Sequence, residues 1–235
     1  MDNSIHSFGV SCLADAVCSG KLRLVQESHL YLNDNPLGLE GSIAAGRMIS
    51  SSHCQLSWAY LSRCKLTTAG INLSSTSSLN TVYSVAERDI GQQLCQMPQS
   101  SIIRILYLCD NSFTGEGIHI LAGFIHLCPC MTYLHTDDCG ITSDDLMWLL
   151  DRLTQLKSSS PNLCSKLRLW SLQKNLIDDS GVSALIDHLP SLFPRWGCDK
   201  YLDYNSFDNN LVSVEIMNRL KEEWRRQEEV SLSVS

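Results

Sequence analysis

The chain has 235 residues, of which 44% are hydrophobic and 18% charged, and this balance is typical of a globular protein. A net charge of −7, without a basic stripe, argues against a nucleic-acid partner. No window approaches the roughly 18 apolar residues of a membrane-spanning helix. The N-terminus lacks the pattern of a signal peptide, and the eleven cysteines follow no disulfide spacing, so we expect free thiols and a cytoplasmic protein.

A short motif recurs along the chain. In each copy an apolar segment precedes an Asn or Cys, an apolar residue follows two positions later, and a Gly usually follows six positions later. We call the Asn or Cys the anchor of its unit. Successive anchors are separated by 29, 47, 28, 36 and 30 residues. They are Asn35, Cys64, Asn111, Cys139, Asn175 and Asn205.

The chemistry of these positions predicts one strand and one helix in every unit. The apolar segment alternates with the period of a strand, and the anchor side chain can satisfy backbone groups of the turn that follows. Gly then permits a tight turn into a helix that buries residues at helical spacing, as at Leu146, Leu149 and Leu153. Since no unit can bury its own apolar face, the units must stack. We therefore predict an α/β solenoid.

The motif resembles the L-x-x-L-x-L-x-x-[NC]-x-L pattern of leucine-rich repeats. Long units, and Asn anchors that alternate with Cys anchors from Asn35 to Cys139, resemble the ribonuclease-inhibitor-like class. The segments YLNDNPLGLEG and HLPSL look like the C-terminal arrays of NOD-like receptors. The resemblance implies a horseshoe in which a curved parallel sheet lines the concave face and helices cover the convex face. It covers nearly the whole chain and specifies architecture more than function.

The first unit lacks a strand. Residues 1–26 read as a partial repeat with Asn3 as anchor, Gly9 six positions later, and Val10, Leu13 and Val17 as the buried stripe of a helix. We expect the chain to be a fragment or shortened form of a longer repeat protein; the alternative is that the first helix itself caps the array.

The middle and the C-terminus are also atypical. The 47-residue interval after Cys64 fits neither one repeat nor two, so 71–98 is either a unit with an insert or a degenerate repeat. A segment at about 212–229 carries apolar residues at Val212, Ile216 and Leu220 among charged ones, and we expect a capping helix there.

The repeat register predicts which side chains face outward from the sheet. Six of the seven tyrosines fall on this concave face, where tyrosine and tryptophan are the residue types enriched in binding hot spots. The alternative is that aromatic residues simply favour strands. Aspartates flank the aromatic positions and would favour a basic protein partner. The predicted partner-binding residues are Tyr31, Trp58, Tyr60, Arg63, Tyr107, Asp110, Tyr133, His135, Asp137, Tyr201 and Tyr204.

Metal and catalytic chemistry are not predicted. His and Cys residues cluster in HLCPCMTYLHTDDC, which spans 126–139, but their spacing matches no zinc site, and Cys139 is an anchor. Motifs of nucleotide binding, of a nucleophilic serine and of a zinc protease are absent from the sequence. We expect no cofactor and no enzyme activity.

The leading hypothesis is a monomeric protein-interaction scaffold or ligand-sensing array. A second hypothesis is a regulator of an enzyme, since the ribonuclease-inhibitor-like class includes enzyme inhibitors and a GTPase activator; an activator would need a presented arginine, for which Arg63 is the candidate. A third hypothesis is an inactive fragment of a longer repeat protein.

Overall fold

The computed structural model describes residues 4–67, 77–99, 101–194 and 206–233. These segments alternate helices and short strands in the predicted order. The elements are α1 Ser7–Cys18, β1 His29–Tyr31, α2 Gly38–Ile49, β2 Trp58–Tyr60, α3 Ser77–Gln96, β3 Ile105–Tyr107, α4 Ile118–Leu127, β4 Tyr133–His135, α5 Ser143–Ser159, β5 Leu169–Ser171, α6 Asp179–Leu192 and α7 Val214–Ser233.

The five strands form one parallel sheet in the order β1-β2-β3-β4-β5. Each strand pairs with the next in the chain, residue against equivalent residue, so Tyr31 lies opposite Tyr60 and Tyr60 opposite Tyr107. The central residues of β2 to β5 are fully buried and belong to one core, which the helices share. The α/β class is therefore confirmed, with units stacked side by side along the sheet.

Asparagine anchors join neighbouring units through backbone hydrogen bonds. Asn111 is buried, and its side-chain amide donates to the carbonyls of Leu61 and Leu108 at 2.8 and 2.7 Å. Its side-chain carbonyl accepts from the backbone N–H groups of Cys64 and Leu66 at 3.0 and 3.3 Å. A turn that no sheet ladder reaches is thus satisfied by one side chain.

Cysteine anchors fill the same place with a simpler bonding pattern. The Cys64 thiol donates to the carbonyl of Leu32 in the preceding unit at 3.0 Å, and the Cys139 thiol donates to that of Leu108 at 3.4 Å. Both thiols are fully buried. A thiol offers one donor and no amide oxygen, so the Cys turns contribute fewer bonds than the Asn turns.

In the last described unit the anchor bonds are made by Asn210, five residues after the predicted anchor Asn205. The Asn210 amide donates to the carbonyls of Leu172 and Phe207, and its oxygen accepts from the N–H of Ile177 at 3.0 Å. This is the bonding pattern of Asn111. Asn205 lies outside the described residues. Two Asn residues five positions apart cannot be distinguished by spacing, because the length of the preceding connection is not fixed.

The described part of the long interval between Cys64 and Asn111 forms a single unit. β2 pairs directly with β3, and α3 packs against α4. The described part of the interval therefore contributes one long helix to the stack and no additional strand. Residues 68–76, which include the beginning of the predicted insert or degenerate repeat at 71–98, lie outside the described part of the chain.

The two ends of the stack differ. At the N-terminal end, the Ile5 N–H donates to the Asn35 side chain at 2.9 Å, in the register expected if Asn3, which is outside the described residues, is an anchor. The central residue of β1, Leu30, is only partly buried. At the C-terminal end, α7 packs on α6 and buries Leu220. None of the described helices is long and apolar enough to cross a membrane.

Candidate functional site on the open face of the sheet

We call the open face the side of the sheet that carries the first and third residues of each strand. In β2, β3 and β4 these residues are partly exposed, whereas the central residue is buried. Strand alternation sends neighbouring side chains to opposite faces, so the parallel register lines equivalent residues up in columns. Two such columns cross the sheet.

The first column is a continuous stack of aromatic rings. Tyr31, Tyr60, Tyr107 and His135 occupy the third position of β1 to β4. Successive ring centroids are 4.4, 4.7 and 4.4 Å apart, with interplanar angles of 17°, 8° and 11°. The spacing follows that of the strands, since neighbouring strands in a sheet lie about 4.8 Å apart. A parallel sheet with aromatic residues at one position therefore assembles the stack.

The second column begins with His29 and Trp58, whose rings stack at 4.2 Å and 5°. Ile105, Tyr133 and Leu169 continue it on the next three strands. The two columns touch, because the Tyr31 hydroxyl lies 3.3 Å from Nδ1 of His29. His29 was not among the predicted site residues. It could have been predicted, because it lies two residues before Tyr31 in the same strand and therefore on the same face.

Stacking decides what a partner would meet on this face. The rings within the first column stack face to face, so the column exposes ring edges and hydroxyl groups, rather than ring faces, to a partner. Tyr60 contacts a ring on each side, and burial together with the Tyr31 hydrogen bond raises the pKa of its hydroxyl to about 12. Burial also raises the pKa of Tyr107. The Tyr60 and Tyr107 hydroxyls are therefore neutral at physiological pH and can both donate and accept.

Arg63 lies between two aspartates at the carboxyl ends of the strands. Its guanidinium makes a two-pronged hydrogen bond to Asp34, with Nη2 to Oδ2 at 3.0 Å, and its Nη1 is 3.6 Å from the Asp110 carboxylate. The Arg63 pairing lowers the pKa of Asp34. The Arg63 guanidinium is thus paired with two carboxylates of the same chain, Asp34 and Asp110. Asp34 is one of the flanking aspartates but is not among the predicted partner-binding residues, although it occupies the position before its anchor, as Arg63 and Asp110 do.

That position has a backbone requirement of its own. The residue before each described anchor has a positive φ, between 54° and 63°. Asp and Asn tolerate this left-handed conformation better than most residues. Part of the predicted acidic rim therefore has a conformational cause. The residues concerned are Asp34, Arg63, Asp110, Asp138, Lys174 and Asn209.

Asp137 is engaged within the fold. Its Oδ1 accepts hydrogen bonds from the Ser171 hydroxyl and from the Gln173 N–H at 2.9 Å, and its Oδ2 lies 3.7 Å from the Cys109 thiol. It therefore ties β4 to β5. Burial lowers the pKa of the neighbouring His135, which keeps its ring neutral near pH 7.

The structure thus brings together nine of the predicted site residues and leaves two untested, since Tyr201 and Tyr204 lie outside the described residues. The cysteine and histidine cluster at 126–139 is spread over separate contacts: His126 bonds to Gln99, and the Cys128 thiol lies 3.9 Å from Ser101. No group of three or more His, Cys, Asp or Glu side chains within the described segments could hold a metal ion.

Fold and site define a class: an α/β protein of stacked strand-and-helix units with an aromatic face on its parallel sheet. Comparison with known proteins adds no family, since the sequence matches no family model and no curated protein.

Proposed function

We propose that the chain is a leucine-rich-repeat array of the ribonuclease-inhibitor-like type, with the open face as its concave surface. The anchors support this. Asn35, Cys64, Asn111 and Cys139 alternate in type, and each side chain bonds to backbone groups of its own turn or of a neighbouring unit. Units of one strand and one helix, stacked in parallel register, are the architecture that the repeat pattern implies.

We further propose that the array binds a protein along the open face without catalysing a reaction. The observation that carries this proposal is the aromatic column from Tyr31 to His135. Binding hot spots are rich in tyrosine, and side chains already fixed by stacking lose little entropy on association. Tyr31 is 58% exposed, and Tyr60 and Tyr107 are partly exposed, so their edges and hydroxyls are accessible.

The chemistry of the face also favours binding over catalysis. The Cys109 thiol follows Tyr107 by two residues, and burial raises its pKa to about 11, so little thiolate is present at neutral pH. Asp137 already accepts three contacts from within the fold. An activated nucleophile beside a free base is therefore not formed by the described residues of this face.

The proposal is tested by affinity capture of binding proteins with the wild-type chain and with the Tyr60→Ala/Tyr107→Ala variant. Each captured protein is quantified by mass spectrometry and its affinity measured. Removing two hot-spot rings is expected to lower the affinity for a specific partner tenfold or more, since the truncation of one hot-spot residue costs about 2 kcal/mol of binding free energy or more. Tyr60→Phe/Tyr107→Phe keeps the stack and is the matched control for folding. If every specific partner stays bound to the alanine variant, the open face is not the binding surface.

Inhibition of a basic enzyme is a second candidate, favoured by the net charge of −7. The assay is inhibition of a basic ribonuclease, which should weaken with added salt because exposed charges are screened. The GTPase-activator version is disfavoured, since Arg63 is paired with Asp34 and Asp110 and is not free to enter another protein's active site.

We propose that the protein is a monomer in a reducing compartment such as the cytoplasm. All ten cysteines that the structure describes are free, and several of their thiols are buried in the core. Disulfides persist mainly in oxidising compartments, so a chain with this many unpaired thiols fits a reducing one.

A further inference from the structure

Three exposed apolar side chains lie at one edge of the last two units, beside the open face but not part of it. Leu176, Leu211 and Val214 are 55%, 71% and 78% exposed. Leu176 and Leu211 each directly follow an anchor, and Val214 is the first residue of α7. The other large apolar side chains that are exposed in the described chain belong to its first 31 residues, at the opposite end of the stack.

Hydrogen bonds join the segments that carry these three residues. The Leu211 N–H donates to the carbonyl of Ile177, the residue after Leu176, at 2.8 Å. Ser213, next to Val214, donates its N–H to the Asp179 carboxylate at 2.6 Å. The backbone that carries these residues therefore lies on two adjacent, hydrogen-bonded turns. We call the three residues the edge patch: Leu176, Leu211 and Val214.

The edge patch has an acidic surround. Among the described residues, exposed carboxylates stand on these two turns, in the first turns of α6 and α7 and at the start of the neighbouring α5, whereas Lys174 and Arg219 are the basic side chains close to them along the chain. Arg219 is 3.4 Å from the Ser183 hydroxyl. The local excess is negative, like the charge of the whole chain. The carboxylates are those of Asp144, Asp178, Asp179, Asp208 and Glu215.

Charge decides which occupant fits this patch. A second copy of the chain would bring a net charge of −7 toward an acidic rim, and an anionic lipid surface would also be repelled. A protein segment with apolar residues flanked by Lys or Arg matches both the apolar centre and the rim. We propose that the edge patch is a second docking site, which binds a basic amphipathic segment of a partner protein. This proposal does not depend on the role of the open face.

The test selects a phage-displayed library of random peptides on the wild-type chain and removes phages that also bind the Leu211→Gln/Val214→Thr variant. The expected consensus carries large apolar residues together with Lys or Arg. Synthetic peptides of that consensus are then measured by fluorescence anisotropy. The double variant should bind them about tenfold or more weakly, since two contact side chains lose their apolar burial. Both positions are exposed, so the fold should be retained.

Phe8→Gln is the matched control. Phe8 is 79% exposed, as apolar as the patch residues, and lies on α1 at the other end of the stack. Its variant should bind the consensus peptides like wild type, as should Tyr60→Ala, which separates this site from the open face. The proposal is overturned by the absence of a selected consensus, by an acidic consensus, or by equal loss of binding in Phe8→Gln. Self-association or binding to phosphatidylserine vesicles that the double variant abolishes would also overturn it.

Discussion

At the scale of single residues, Asn111 shows why the anchor position is so restricted. Its side chain is only 2% exposed, and it forms hydrogen bonds with two backbone carbonyls and two backbone N–H groups from adjacent units. An apolar side chain of similar size would leave those backbone groups buried and unpaired, which costs about 1 to 3 kcal/mol per group. The repeat motif is therefore a hydrogen-bonding requirement rather than a packing preference.

We predict that Asn111→Ala lowers the free energy of unfolding by about 3 to 5 kcal/mol, because several buried backbone groups lose their partner. The measurement is chemical denaturation followed by circular dichroism. Asn162→Ala is the control, since Asn162 is exposed and its change should fall within about 0.5 kcal/mol of wild type. Equal effects of the two substitutions would show that the Asn111 bonds do not stabilise the stack.

At the scale of elements, the contact between α3 and α4 depends on glycine. A Cβ atom at Gly91 would lie 2.5 Å from the backbone carbonyl group of His119 in α4, and one at Gly123 would lie 2.4 Å from the Cβ of Leu94 in α3. The two helices can therefore approach as closely as they do only without side chains at these points. This close packing incorporates the long helix of the 47-residue interval into the stack.

Gly91→Ala should lower the free energy of unfolding by about 1 to 3 kcal/mol, since the added methyl meets backbone atoms that cannot rotate away. Helix propensity alone predicts the opposite sign, a gain of about 1 kcal/mol. Gln92→Ala, at the exposed neighbouring position of the same helix, is the control and should be nearly neutral. A stabilised Gly91→Ala protein would mean that α3 and α4 are not packed as described.

At the scale of the whole molecule, buried titratable groups limit the pH range of stability from both sides. Burial raises the pKa of the Cys64, Cys128 and Cys164 thiols to about 12 from an ordinary value of 9.0. It lowers the pKa of His126 and His135 from 6.5. In every case the folded state favours the neutral form, and the unfolded state ionises more readily.

We predict that the free energy of unfolding is highest between about pH 6.5 and pH 9. The thiol contribution is complete below pH 9 and is lost as pH rises toward 12, at up to about 1.4 kcal/mol per pH unit for each thiol. The contribution of His126 and His135 to the free energy of unfolding is present above pH 6.5 and is lost as pH falls below it. Denaturation curves at pH 5, 7.5 and 10 test this.

Cys128→Ala is the control for the alkaline limb, since it removes one of the titrating thiols and should reduce the slope above pH 9. Equal stability of the wild-type chain at pH 7.5 and pH 10 would contradict the assignment of the thiols to the core.

Much of this architecture could be predicted from the sequence, because the anchors and the strand period are local features. The anchors from Asn35 to Asn175 set the register of five strands, and that register placed Tyr31, Tyr60 and Tyr107 in one column. The last anchor marks the limit of this reasoning: Asn205 and Asn210 are each followed two positions later by an apolar residue, and only the bonds to Leu172 and Ile177 show that Asn210 makes the anchor contacts.

The sequence by itself determined the α/β class, the strand positions and the aromatic residues of the open face, since each follows from spacing along the chain. Tertiary structure alone decided which groups bond across units. Thr136 occupies a position where four other units carry Leu, and it accepts a hydrogen bond from the Trp170 indole at 2.8 Å. Asp137, which follows β4, likewise accepts a hydrogen bond from Ser171 of β5, so it stabilises the sheet as well as lying on the open face. Such partners lie about 35 residues apart, and the distance between them is set by the stacking of units rather than by any local pattern.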